Sequence, residues 1–120
     1  MIDSCYLLGI KTSGQVVGKL HDVVVRHSGW SGMAVFMGAT LLISGHRSAI
    51  HHNCTRGGDG YFGMDIYDEE SCIHLHPSLS LSRVTFSNGG GANWSEIMSQ
   101  PRQVSSQEIS RLPQVQLFSP

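Results

Sequence analysis

Apolar residues along this chain come in clusters of two or three, alternating with polar positions and broken by glycine, asparagine and serine. Val23-Val24-Val25, Ala34-Val35-Phe36, Leu41-Leu42-Ile43, Ile66-Tyr67, Ile73-His74-Leu75 and Val84-Thr85-Phe86 each have the length and the branched or aromatic content of a strand. Gly29, Gly32, Gly38, Gly45 and Gly63 interrupt any helical stripe in the same region. One stretch predicts a helix. Ser105 and Glu108 have the spacing of a capping box, and Ile109 and Leu112 follow, so a short helix is expected over 106–112.

The clusters repeat. Gly32-Met33-Ala34-Val35-Phe36 returns 31 residues later as Gly63-Met64-Asp65-Ile66-Tyr67. A slip of one residue beyond that spacing then places Leu41 and Ile43 on Ile73 and Leu75. A second series reads Val24-Val25-Arg26-His27-Ser28-Gly29, then Ala49-Ile50-His51-His52-Asn53-Cys54, then Val84-Thr85-Phe86-Ser87-Asn88-Gly89. Units of about 20–45 residues that cannot bury an apolar face alone bury it by stacking. The expected fold is therefore all-β: a short parallel β-helix (solenoid) of about two to three coils with a mostly unstructured C-terminal tail. Alternation puts Met33, Val35, Leu41, Ile43, Met64, Ile66, Ile73, Leu75, Val84 and Phe86 inside, with glycine and asparagine at corners that need positive φ. A glycine-rich β-sandwich is the competing architecture.

Composition narrows this further. The 120 residues suffice for one domain, and a net charge of −1 offers no electrostatic case for nucleic acid. The longest apolar stretch covers residues 33–43, half of what a spanning helix needs (roughly 20 residues). The first ten residues lack a basic n-region and carry Asp3, so they read as no signal peptide. All 14 glycines precede residue 92, whereas three of the four prolines and five glutamines follow residue 94. The expected division is an N-terminal strand or cap over 1–20, coils over 21–94 and a polar tail over 95–120. Coils that lack caps leave open sheet edges, so end-to-end self-association is an expected property.

The run SGMAVFMGATLLISGHRSAIHHNCTRGGDGYFGMDIYDEESCIHL resembles the right-handed parallel β-helix repeats of the pectin-lyase-like superfamily. The resemblance covers roughly residues 21–94. It implies three-sided coils with stacked parallel sheets and an extracellular or cell-surface setting. The polygalacturonase segments N-T-D, D-D and G-H-G are missing, since Gly45-His46 is followed by Arg47. The resemblance thus implies a non-catalytic stretch of repeats, part of a larger surface or secreted protein. The alternative is a polysaccharide lyase or glycoside hydrolase in which Asp65, near Arg56, acts as the acid.

Candidate chemistry lies in five groups. Trp30 and Tyr61, and likewise Phe36 and Tyr67, are 31 residues apart and would stack on successive coils as an aromatic ladder for sugar rings. Asp65, Asp68 and Glu69 offer hard oxygen ligands for calcium as a cofactor. His51, His52, Cys54, His74 and His76 have zinc-ligand chemistry, although two walls of the coil would separate them. Asn53 and Asn93 sit in N-x-[ST] sequons and are glycosylation candidates in an exported chain, with a buried corner role as the alternative for Asn53. Among the three cysteines, Cys54 and Cys72 would form the disulfide of an exported chain, and buried thiols are the alternative. The partners expected are a polysaccharide or a surface protein.

Overall fold

The computed structural model describes residues 2–4, 9–96, 100–112 and 116–117. Its strands run β1 (Ile2–Asp3), β2 (Ile10–Ser13), β3 (Val17–His21), β4 (Val24–Arg26), β5 (Met33–Phe36), β6 (Thr40–Ser44), β7 (Ala49–His51), β8 (Phe62–Ile66) and β9 (Cys72–Leu75). After the helical turn α1 (Leu81–Val84) come β10 (Thr85–Phe86), β11 (Ala92–Trp94), β12 (Arg102–Gln103), α2 (Ser106–Ser110) and β13 (Gln116–Leu117). They form three sheets, ordered β1-β4-β7-β10, β2-β5-β8-β11 and β13-β3-β6-β9-β12. Every pairing is parallel. The chain visits the first, second and third sheet in rotation and makes that circuit four times, against the two to three expected. One circuit and the last strand of another come from places where apolar clusters are sparse: β1, β2 and β3 begin within residues 2–20, and β12 lies within 95–120.

Parallel registry explains the sequence repeat. Met33 pairs with Met64 and Val35 with Ile66, while the one-residue slip sets Leu41 on Ile73 and Ile43 on Leu75. Each pair is two inward side chains one level apart, and together they make a column of buried residues. The first sheet adds Val25 and Ile50, in register and fully buried. Of the ten residues expected inside, nine are core. Phe86 is the correction. It faces outward at 36% exposure and stacks on His51, with ring centroids 5.1 Å apart. The cause is α1, whose last residue, Val84, reaches the core from a helical turn. The strand then starts at Thr85, which takes the inward place beside Ile50 and turns Phe86 out.

The corners also repeat. Ser4, His27, His52 and Ser87 directly follow residues in register with one another, and all four have φ between 52° and 59°. This left-handed position was expected to hold glycine or asparagine. The asparagines stand one residue later, with their side chains turned inside the corner. In the tail, α2 carries the expected capping box, with Ser105 accepting from the Glu108 N–H and Glu108 accepting from the Ser105 N–H. Among the described residues, no helix is long and apolar enough to cross a membrane.

Candidate functional site on the outward face of the second sheet

Alternation along β8 points Met64 and Ile66 inward and Asp65 and Tyr67 outward. One level earlier, β5 turns Ala34 and Phe36 out beside them, and Lys11 of β2 lies one level earlier still. The loops that lead into β5 and β8 bring Trp30 and Tyr61 to the same wall.

The geometry is that of two aromatic pairs flanking one carboxylate. Trp30 and Tyr61 are stacked, with centroids 4.9 Å apart and planes 9° from parallel. Phe36 and Tyr67 are 4.0 Å apart and tilted by 51°, and the Lys11 ammonium sits 5.4 Å from the Phe36 centroid. Stacked rings cover one another's faces, so Trp30 and Tyr61 present mainly edges and outer faces. Tyr67, at 42% exposure, is the most open ring of the four.

Asp65 is only 5% exposed although its strand position faces outward. Its Oδ2 accepts from the Ser31 hydroxyl at 3.2 Å, and the Tyr67 phenol also bonds to it. Ser31 in turn accepts from the Phe62 N–H at 3.1 Å, which fixes the hydroxyl. Burial pushes the Asp65 carboxyl up to about 6, against the pull of its two hydroxyl partners. Burial and the Asp65 charge raise the Tyr67 phenol as well. Cys54 is pushed up to about 11 by its own burial and by Asp65, which keeps it a thiol. Cys54 and Cys72 are both free, so the pairing considered for an exported chain is not formed.

The calcium candidates do not converge. Asp68 spends its carboxylate on the corner: Oδ2 accepts from the Met37 N–H and Oδ1 from the Ser71 hydroxyl, each at 2.7 Å. Those bonds hold it below the usual carboxylate range. Glu69 is exposed in the turn beside it. Among the described residues, no three His, Cys, Asp or Glu side chains come together as a ligand set. His51 and His52 point their Nδ1 atoms at each other (2.6 Å), and His27 is paired with Asp3, while His74 stands on a different sheet.

The sequon asparagines belong to the corner. Asn53 is 1% exposed, with Nδ2 donating to Val25 O and to Asn88 Oδ1 and with Oδ1 accepting from the Ser28 N–H. A glycan on that nitrogen would remove one of the two donors and would need room that the buried corner does not offer. Asn93 is half-buried, and its Oδ1 accepts from the backbone and side chain of Asn88.

Sequence reasoning placed the four aromatics as ladder pairs but missed Ser31 and the burial of Asp65. It also missed a cavity of about 540 Å³ at the open end of the second sheet, lined by Phe62, Ala92, Asn93, Trp94 and Glu96. Comparison with family models, with curated proteins and with solved structures finds no match to this chain.

Proposed function

We propose that the chain is a non-catalytic module, a short right-handed parallel β-helix of pectin-lyase-like type within a larger surface or secreted protein, and that it binds a carbohydrate or surface partner. The observation that carries this reading is the placement of Trp30–Tyr61 and Phe36–Tyr67 on either side of Asp65 along one outward face. Sugars are held by apolar contact with open aromatic surface and by polar groups that bond their hydroxyls. Tyr67 supplies the first, and the Lys11 ammonium with the Tyr67 phenol, which Asp65 orients from beneath, supplies the second. Retention on a panel of immobilised polysaccharides tests it. The wild-type chain is retained on at least one, releases no reducing or unsaturated ends, and loses retention at least tenfold on Tyr67→Ala. Equal retention of wild type and Tyr67→Ala would remove the proposed face.

A second reading, polysaccharide lyase or glycoside hydrolase, is favoured by one observation. Asp65 is a buried carboxyl pushed up to about 6, in the range where a general acid or base operates near neutral pH. That reading requires ends to be released from a polysaccharide and the release to vanish in Asp65→Asn.

A further inference from the structure

Among the described residues, the core is open at both ends of the stack. Ile2, Ile10 and Val16 close it at the first level and Leu81 and Trp94 at the last, and all five are only partly buried. In the second sheet the inward column runs Ile10, Met33, Met64, Trp94 at successive levels. The cavity of about 540 Å³ lies at the Trp94 end of this column.

We infer that this end receives a second copy of the chain, the edge of β2 from one molecule pairing in parallel with the edge of β11 from another. Three observations fit that occupant. The backbone edges are complementary. Gly91 and Ser95 donate their N–H groups to the carbonyls of Tyr61 and Met64, so alternation turns the amide groups of Ala92 and Trp94 to the other side. On β2, Ile10 and Gly14 donate to β5, so Lys11 and Ser13 face away. Continuing the column sets the incoming Ile10 on Trp94 and the Lys11 N–H on the Trp94 carbonyl. That offset already joins Ser95 to Met64 and Tyr67 to Val35. The side chains fit as well, because Ile10 meets a cavity walled by Phe62, Ala92 and Trp94. The charges also fit: Lys11 arrives opposite Ser95, one residue from the exposed carboxylate of Glu96, which bonds the Trp94 indole N–H at 3.1 Å.

The third sheet supplies a check on this association. It extends one strand further at the first level, because β13 lies beside β3 with Gln116 on Gly18 and Leu117 on Lys19. A neighbour's β12 needs that place, so docking displaces β13. The contact is heterologous, and it propagates as a head-to-tail series rather than closing as a dimer.

Sedimentation velocity over a concentration series tests this with the full chain. Replacing Gln116 and Leu117 together by proline removes the β13 amide donors. That variant is expected to associate at a concentration at least tenfold lower than wild type. Adding Lys11→Glu returns it to monomer, and adding Glu96→Lys as well restores association. In case the proline variant folds poorly, the wild-type indole resonances are followed on dilution. Trp94 shifts with concentration, Trp30 does not, and Lys11→Glu abolishes the shift. A proline variant no larger than wild type, a Lys11→Glu change without effect on mass, or a Trp94 resonance that ignores concentration overturns the inference.

Discussion

Asn53 and Asn88 stand one above the other at a corner of the stack, and the Nδ2 of the first donates to the Oδ1 of the second at 3.0 Å. The same Oδ1 accepts from the Asn53 backbone N–H at 2.9 Å, and Asn88 Nδ2 reaches Ile50 O at 3.1 Å. Each carboxamide thus ties its own level to the one before it, where side chains from two strands would otherwise leave backbone groups unpaired. Asn53→Ala strands the Ser28 N–H in the interior and takes a second donor from the Val25 carbonyl, at about 2 kcal/mol. Asn53→Asp, although nearly isosteric, costs more, because it turns an oxygen toward two acceptors. Urea midpoints should fall in that order with unchanged slope. The Asn53→Ala/Asn88→Ala double variant should lose less than the sum, since the two share a bond.

The glycine that opens each repeat exists to make room for that ladder. A Cβ on Gly63 would lie 2.6 Å from Asn93 O and from Thr85 Oγ1, and closer still to Asn88 Nδ2. A Cβ on Gly32 would lie 2.6 Å from Asn53 Nδ2. Gly63→Ala is therefore expected to destabilise by about 2–3 kcal/mol through overpacking. Gly60→Ala, where nothing lies within 4 Å, should be neutral or slightly stabilising. Thermal melts of the two variants side by side check the contrast.

Ser87 adopts φ 52° at an exposed corner. A side chain there costs roughly 1 kcal/mol relative to glycine. Ser87→Gly should raise stability by about 0.5–1 kcal/mol, and Ser87→Val should lower it, both read from the urea midpoint.

Asp65 makes stability depend on pH. Its carboxyl lies near 3.8 when unperturbed and is pushed up to about 6 in the fold. Between those values the folded chain holds the proton that the unfolded chain has released. The contribution is fully present below about pH 3.8 and is lost as pH rises through about 6. The loss is at most ~3 kcal/mol. Asp65→Asn keeps an acceptor for Ser31 and carries no charge. It should match wild type near pH 4 and exceed it by about 2 kcal/mol at pH 7.5. Denaturant titrations at the two pH values decide this, and a pH-independent difference would contradict the assignment.

Much of the stack was legible because its columns are apolar and their period is two. Met33–Met64, Leu41–Ile73 and Val25–Ile50 all follow from the repeat. The first circuit was harder to read, because Ile10-Lys11-Thr12-Ser13 and Val17-Gly18-Lys19-Leu20 carry few apolar residues, and β1 and β2 have a strand neighbour on one side only. Phe86 was misplaced because a helical turn resets the phase of alternation, although its own alignment with His51 pointed outward. The spacing of Trp30–Tyr61 and Phe36–Tyr67 revealed the aromatic pairs, whereas the covering of their faces depends on ring orientation. A signal for the corner was present: His52-Asn53 and Ser87-Asn88 both place an asparagine two residues after the strand's last outward residue.

The parallel registry of the three sheets underlies every contact described, and nuclear Overhauser spectroscopy tests it most directly. The account predicts interstrand amide and α-proton contacts linking Met33 to Met64, Leu41 to Ile73 and Val25 to Ile50, in the diagonal pattern of parallel strands. Close α-proton to α-proton pairs between sequential strands, the mark of antiparallel hairpins, would contradict it and restore the β-sandwich.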